Sequence, residues 1–249
     1  MAYSHRKKGF KLLNGHGLEI GALHEPAPVP SRCQMTYADA LSKEDAKDLF
    51  KEIDANKLVD VDVIVDLDKE GLGKINDNEF DFVILNHVIE HVANPINVVS
   101  ELFRVCKDGG MIVIAAPDKR FTFDKDRSIT SFTHLSKEYE ENVSEVSDEH
   151  YLDFLKHVHP DVMLLSEEKI QKSLEGVRNR REHAHVWDSS SFKDFLQKTI
   201  ELLNLECTLR FESLGDSNKI EYFSVWQKGN QKKRVSLISK IFNRNGRNA

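Results

Sequence analysis

Two short strands that each end in a carboxylate constrain the fold of this chain more than any other feature. The first lies in Leu18–His24, where an apolar run leads through Glu19 to Gly21, and the second is Met35–Asp39. The carboxyl ends of neighbouring parallel strands form the crevice in which open α/β sheets bind nucleoside cofactors. A glycine there lets backbone approach a ligand, and a carboxylate can accept hydrogen bonds from two ribose hydroxyls. The sequence therefore predicts a nucleoside-cofactor pocket at this edge of a sheet.

Strand-like and helix-like segments alternate along most of the chain. Five strands are predicted to be parallel, and two more to form an antiparallel hairpin across the turn-rich residues 214–218: Gly17–Gly21, Met35–Asp39, Val61–Asp66, Phe80–Leu85, Met111–Ala116, Glu206–Ser213 and Ile220–Gln227. One helix should start at Asn94 and end at the Asp108-Gly109-Gly110 turn, and another should start at Asp188. Alternating strands and helices indicate right-handed crossovers. The predicted fold class is α/β, a Rossmann-like doubly wound sheet of mainly parallel strands with a C-terminal antiparallel hairpin.

The alternation breaks at Pro117, after which the sequence is polar, rich in histidine and helical in tendency. We interpret residues 118–181, called the cap below, as a helical insertion over the ligand-binding edge. The chain is then a single domain, 1–249, with a core of residues 14–117 and 182–228 and a basic tail, 229–249.

The composition limits the kinds of partner that the chain can bind. A net charge of −6 argues against general nucleic-acid binding. No apolar run is long enough to span a membrane, and no signal peptide is visible, so we expect a cytoplasmic protein. Residues 232–242 are basic and amphipathic at helical spacing, which suits either peripheral contact with an anionic membrane or a frayed terminus. Nothing in the sequence indicates an oligomeric state.

Several motifs together resemble the class I S-adenosylmethionine-dependent methyltransferases, especially their small-molecule branch. They are Glu19-Ile20-Gly21-Ala22, Asp39, Asp66-Leu67, the run from Phe80 through Glu90-His91-Val92, and Asp108-Gly109-Gly110. The form Leu-Glu-Ile-Gly-Ala with a proline-rich loop after it also resembles methyltransferases of bacterial polysaccharide and glycan pathways. This resemblance implies S-adenosylmethionine as cofactor and a small-molecule or glycan-type acceptor, with O-methylation favoured over N-methylation.

The resemblance also implies roles for individual residues. Asp39 should hold the ribose, Asp66 and Leu67 should contact the adenine, and Asn86 should contact the methionine tail or the acceptor. The first loop should bind the cofactor through Glu19, Gly21 and Ala22, although Gly21 is followed by Ala22-Leu23-His24 instead of further glycines. For Asp66 the alternative is a simple acidic strand end, and Asp68 in the same turn is the rival for the adenine contact. For Asn86 the alternative is a turn cap.

Three histidines are candidates for catalysis. His183 and His185 are two apart, so on an extended segment they share a face, and they precede the last helix on the active-site side. His87 follows the fourth strand. His183 and His185 could act as general base or contact the substrate, or they could simply be surface histidines. His87 could have the same roles, or it could only pack at the edge of the sheet. We expect no bound metal, because no His-x-x-x-His or carboxylate-rich signature is present. The charges of Pro117-Asp118-Lys119-Arg120, with Arg127, could meet a phosphorylated or acidic sugar, and the alternative is a solvated loop.

Two other functions compete with methyl transfer. A nicotinamide-dependent oxidoreductase would share the strand-end carboxylate but needs a Gly-x-Gly-x-x-Gly turn, which the sequence after Gly21 lacks. A catalytically silent S-adenosylmethionine-binding partner protein would keep Asp39 and Asp66 while its acceptor pocket was closed by the cap.

Overall fold

The computed structural model describes residues 4–229 and contains one seven-stranded sheet in that range. The strands are β1 Gly15–Ile20, β2 Cys33–Asp39, β3 Val63–Ile64, β4 Phe80–Asn86, β5 Cys106–Pro117, β6 Cys207–Ser213 and β7 Glu221–Lys228. Their order across the sheet is β3-β2-β1-β4-β5-β7-β6. The first five are parallel, whereas β7 pairs antiparallel with both β5 and β6. The predicted fold class is confirmed.

The chain runs outward in opposite directions from the centre of the sheet. It passes from β1 to β2 on one side and reaches β4 on the other. Helix α1 Lys7–Phe10 precedes β1, and α8 Gly215–Asn218 lies in the link between β6 and β7. The helices between the other strands are α2 Lys43–Leu49, α3 Pro95–Val105, α4 Phe132–Glu140, α5 Asp148–Val158, α6 Glu167–Arg180 and α7 Ser189–Leu202. A change of direction of this kind leaves a crevice beyond the carboxyl ends of the central strands.

Two helix starts follow the capping chemistry of the sequence. Asn94 caps α3 by accepting a hydrogen bond from the Asn97 amide, and Pro95 occupies the first helical position. Asp188 caps α7, and Ser191 completes a reciprocal capping box. These caps fix where the helices leave the carboxyl edge of the sheet.

The element bounds differ from expectation around the Asp108-Gly109-Gly110 turn. It was expected to precede the fifth strand, but β5 already starts at Cys106 and runs through it. Gly109 has φ +80°, and a Cβ on Gly110 would lie 2.7 Å from the Asp81 carbonyl oxygen. The register between β4 and β5 shifts at this point, so the glycines make an irregular strand start instead of a separate turn.

The cap holds helices α4, α5 and α6, as the predicted helical insertion requires. It has a small apolar cluster of its own, formed by Tyr151, Phe154, Leu155 and Leu174. No helix within residues 4–229 is long and apolar enough to cross a membrane. The basic tail beyond residue 229 lies outside the described residues, so its proposed membrane contact stays a prediction.

Candidate active site

A cavity of about 300 Å³ lies at the carboxyl ends of β1 and β2, where the crevice was expected. Its walls are mostly apolar, with polar groups at its rim. The residues of the central strands and following loops that line it are Ile20, Gly21, Asp39, Leu41, Leu67, Val88 and Val92, and Phe50, Arg181 and Glu182 close it from other segments. An apolar cavity with a few polar groups is the usual form of a cofactor site.

Asp39 presents its carboxylate at this cavity from the end of β2. One oxygen accepts a hydrogen bond of 3.1 Å from the Leu41 amide, which orients the group. Burial raises the pKa of Asp39, and the hydrogen bonds from Leu41 and Ala40 and the charge of Arg181 oppose that rise. A carboxylate at this position is suited to paired hydroxyl donors.

Gly21 turns the chain at the floor of the cavity. Its φ is +72°, and a Cβ there would lie 2.4 Å from Val88 Cγ2. Ala22 is buried but does not line the cavity. The positive φ and the close approach of Val88 both require glycine.

Glu19 lies beneath this turn and is fixed to the proline-rich loop. Both carboxylate oxygens accept the Ala27 amide hydrogen at 3.0 Å. Burial raises the pKa of Glu19 to about 7, against the hydrogen bond from Ala27 and the charge of Arg6. Glu19 thus shapes the first loop and does not itself line the cavity.

Asp66 and Leu67, the pair expected to contact adenine, have different surroundings in the structure. Leu67 lines the cavity, but Asp66 accepts hydrogen bonds of 3.1 and 2.5 Å from the two terminal nitrogens of Arg181. Arg181 ends α6 in a left-handed conformation and lines the cavity beside the loop after β3. Sequence reasoning missed Arg181, since no local pattern links residues 66 and 181.

Asn86 and His87 lie at the carboxyl end of β4. The Asn86 Oδ1 atom is buried and has no hydrogen-bond partner among residues 4–229. His87 has φ +55°, a conformation that costs a residue with a side chain of this size about 1–3 kcal/mol. Backbone strain of this kind is concentrated at functional sites.

His87 is held by a buried carboxylate at the start of β7. Its Nε2 lies 2.6 Å from Glu221, which also accepts from Arg6 Nε at 2.6 Å and contacts His5 at 2.5 Å. Burial would raise the pKa of Glu221, but the hydrogen bonds from Arg6, His5 and His87 outweigh it and hold that pKa well below its usual range. The N-terminal segment is therefore fastened beside His87.

The ring of His91 separates His183 from the cavity. Its ring meets that of His91, which lines the cavity, edge to face at 4.7 Å between centroids. His183 Nδ1 donates to Asp124 at 2.6 Å, and Nε2 is 3.9 Å from Glu90. Burial lowers the pKa of His183, but the hydrogen bond to Asp124 and the charges of Glu90 and Asp124 outweigh it and raise that pKa.

His185 joins a different group of side chains. Its ring lies beside those of His134 and His150, and both of its nitrogens are buried without a hydrogen-bond partner in the described part of the chain. The two histidines of the 183–185 segment thus belong to separate polar clusters. His134 and His150 were not singled out from the sequence.

Arg127 has a structural role, because its hydrogen bonds are made to other residues of the protein. Its guanidinium is buried and contacts Asp124, Asp153 and the carbonyl oxygens of His183 and Ala184. Contact with an acidic sugar, which the sequence suggested for Arg127, does not fit this placement.

A mostly parallel sheet with a cavity at the point where its strand order reverses is the architecture of α/β cofactor-binding proteins. A model described as a methyltransferase domain matches residues 15–199, and the chain belongs to that family. It is an S-adenosylmethionine-dependent methyltransferase. No curated protein matches the sequence.

Comparison with solved structures finds similar chains at low sequence identity. A Rhodobacter sphaeroides protein named as a Zn-dependent alcohol dehydrogenase is 13% identical with a TM-score of 0.55, covering 92% of each chain. An Aquifex aeolicus S-adenosylmethionine-dependent methyltransferase is 13% identical, with 90% of this chain and 88% of that chain covered and a TM-score of 0.46. For the CurJ carbon methyltransferase the identity is 11% and the TM-score 0.45, with 90% of this chain covered but only 52% of that one.

The residues of the cavity fit the cofactor of this family. Gly21 and Asp39 line the cavity, where Asp39 offers a carboxylate. Asn86 does not line it, but its Oδ1 atom, which has no hydrogen-bond partner among residues 4–229, lies at the end of the neighbouring strand β4. A buried polar atom without a partner calls for a ligand or water to satisfy it.

Proposed function

We propose that this methyltransferase transfers the methyl group to a hydroxyl of a small-molecule or glycan-type acceptor, with His183 as general base. The observation that carries this proposal is the chain of contacts from the cofactor cavity through His91 and His183 to Asp124. In this chain of contacts His91 lines the cavity, and the hydrogen-bonded pair of His183 and Asp124 lies behind His91.

The cofactor would be held by residues that line the cavity and by Asn86 at the end of the neighbouring strand. Asp39 would accept from the ribose hydroxyls, Leu67 would pack against the adenine, and Asn86 would meet the methionine end. Asp66 would act through Arg181, which it fixes at the rim of the cavity. S-adenosylmethionine supplies a methyl group on a positively charged sulfur, and the protein's task is to align the acceptor with it and to exclude water.

A base that removes a proton from the acceptor is needed more for methylation of a hydroxyl oxygen than for methylation of an amine nitrogen. A hydroxyl must lose its proton as its oxygen forms the new bond to the methyl carbon, whereas a neutral amine already has a free electron pair. Asp124 accepts the Nδ1 hydrogen of His183, so Nε2 of the neutral ring can take the hydroxyl proton. Asp124 then faces the imidazolium that forms. This arrangement favours O-methylation.

Calorimetry and turnover of matched variants test the proposal. Asp39→Ala should weaken S-adenosylmethionine binding by about 1–3 kcal/mol. His183→Ala should lower turnover about 10²–10⁴-fold on a panel of sugars and phenols while cofactor affinity is retained. His159→Ala, at an exposed histidine of the cap, is the control. Equal loss of binding and turnover in His183→Ala would contradict the assignment of a base.

The pH profile gives a second readout. If His183 must be neutral, turnover should rise as the pH increases through its raised pKa. Asp124→Asn removes the hydrogen-bonded charge that raises this pKa, so it should shift the acid limb to lower pH as well as reduce turnover. An acid limb that does not move would contradict the pairing.

The silent-partner alternative makes the opposite forecast. It expects S-adenosylmethionine binding without turnover on any acceptor. Membership of the methyltransferase family, together with the pairing of His183 and Asp124 beside the cavity, favours catalysis. The same membership favours methyl transfer over hydride transfer to a nicotinamide.

A further inference from the structure

Three imidazoles and one carboxylate converge beside the proposed active site, from three separate segments. His134 and Glu138 lie one turn apart on α4, His150 comes from α5, and His185 from the stretch before α7. One nitrogen from each ring and one carboxylate oxygen all lie within 4.8 Å of one another. We call these four residues the imidazole cluster.

Four distances within this cluster, two of them to Glu138 Oε1 and one to Glu138 Oε2, lie near the edge length of a tetrahedral metal site. His134 Nε2 is 3.0 Å from His150 Nε2 and 3.0 Å from Glu138 Oε1. His150 Nε2 is 3.4 Å from Glu138 Oε1, and His185 Nε2 is 3.8 Å from Glu138 Oε2. Zn²⁺ binds imidazole nitrogen and carboxylate oxygen at about 2.0–2.1 Å, so ligand atoms around a tetrahedral ion lie about 3.3 Å apart.

Hydrogen bonding within the protein does not satisfy this cluster. His185 is buried to 1% exposure, yet neither ring nitrogen has a hydrogen-bond partner in residues 4–229. The Glu138 Oε2 atom is also buried and unpartnered in that range. Unsatisfied buried groups are rare and costly, and a bound ion is one of the few explanations for several that face each other.

The structure also orients the ring of His150 and leaves a path by which an ion can reach the cluster. His150 Nδ1 is 3.0 Å from Ser147 Oγ, so its other nitrogen is turned into the cluster. Such a second partner is typical of metal-bound histidine. An open cavity of about 330 Å³, lined by His134, His150 and Thr130 among others, gives a path from solvent.

We propose that the imidazole cluster is a site for a zinc-type divalent transition metal that joins α4 and α5 to the segment entering α7. His134, His150 and His185 bind through neutral Nε2 atoms and Glu138 through its carboxylate. Nitrogen donors select this class of ion over Mg²⁺ and Ca²⁺, which prefer oxygen. His185 is then a ligand and not the general base, and the sequence-based expectation of no metal was reached without His134, Glu138 or His150.

Metal titration of the full chain tests this site directly. The protein is stripped with a chelator, dialysed and titrated with Zn²⁺, with Co²⁺ and with Mg²⁺ in parallel. We expect one equivalent of Zn²⁺ to bind and to raise the Tm, and Co²⁺ to give the intense visible bands of tetrahedral coordination. Mg²⁺ should have no effect.

Two ligand variants and a matched control locate the ion. His134→Ala alters a side chain that is 45% exposed, so it should leave the metal-free fold intact while it weakens Zn²⁺ binding at least about tenfold. Glu138→Gln should do the same and reduce the Co²⁺ bands. His159→Ala, also in an exposed cap histidine, should bind like the wild type.

Three results would overturn the proposal. These are a wild-type chain that binds no Zn²⁺, a His134→Ala variant that binds it unchanged, and loss of binding in His91→Ala but not in His134→Ala. The last result would place the ion at Glu90, His91 and His183 instead. Each readout is independent of methyl transfer, so the metal site can fail while the proposed function stands.

Discussion

The central sheet and the cap are stabilised by different kinds of interaction. In β4, Phe82, Val83, Ile84 and Leu85 are all fully buried against apolar neighbours. The cap has only a small apolar cluster and instead buries charged groups, with Arg127 at its centre. Apolar burial is additive and tolerant, whereas a buried polar network depends on every one of its partners. The sheet is therefore a robust frame, whereas the cap is a sensitive one.

The largest effect should follow from removing the charge at the centre of the cap. Arg127→Met leaves Asp124 and Asp153 without their buried partner, so the free energy of unfolding should fall by about 3–5 kcal/mol. Chemical denaturation at neutral pH measures it. Arg178→Met, which breaks an exposed pair with Asp148 in the same cap, should cost no more than about 1 kcal/mol. Equal losses would remove the distinction between the two regions.

A smaller effect is expected at the cofactor edge. Gly21→Ala forces a side chain into a positive φ and against Val88 Cγ2, and should lower stability by about 1–3 kcal/mol. Adding Val88→Ala to the Gly21→Ala variant should restore the stability lost through the contact with Val88 but not the stability lost through the positive φ. If the double variant were no more stable than Gly21→Ala, the contact with Val88 would not matter.

The last effect depends on pH and concerns Glu19. Its pKa is raised from 4.5 to about 7, so ionisation above that range costs folding free energy that is absent below pH 4.5. Glu19→Gln keeps an acceptor for the Ala27 amide without the charge. It should therefore be more stable than the wild type at pH 8, by up to about 3 kcal/mol, and equal to it near pH 4. Denaturation curves at the two pH values check this, and the same difference at both would refute the raised pKa.

Sequence reasoning was strongest where local chemistry decides structure. The apolar run of β4, the Asn94 and Asp188 caps and the C-terminal hairpin all follow from patterns within a few residues, and each is confirmed. The start of β5 was wrong because pairing with β4 extended a segment whose own residues favour a turn.

The candidate site was only partly accessible to such reasoning. Asp39, Gly21 and Leu67 were found because their motif places them at strand ends, and they do line the cavity. The contact of Arg181 with Asp66 and the imidazole cluster join distant segments, which no local pattern specifies. One signal was present: His134 and Glu138 are four apart, a spacing that puts two ligands on one helical face.

The contact between Arg6 and Glu221 has a consequence for the biosynthesis of the chain. The two residues are 215 positions apart, and β7 also completes the edge of β5. A ribosome adds about 5–20 residues each second, so the first helix waits roughly ten seconds or more for its docking strand. During that interval the emerging N-terminus and the unpaired edge of β5 are exposed together, and a chaperone that shields either would be acting on a defined and short-lived intermediate.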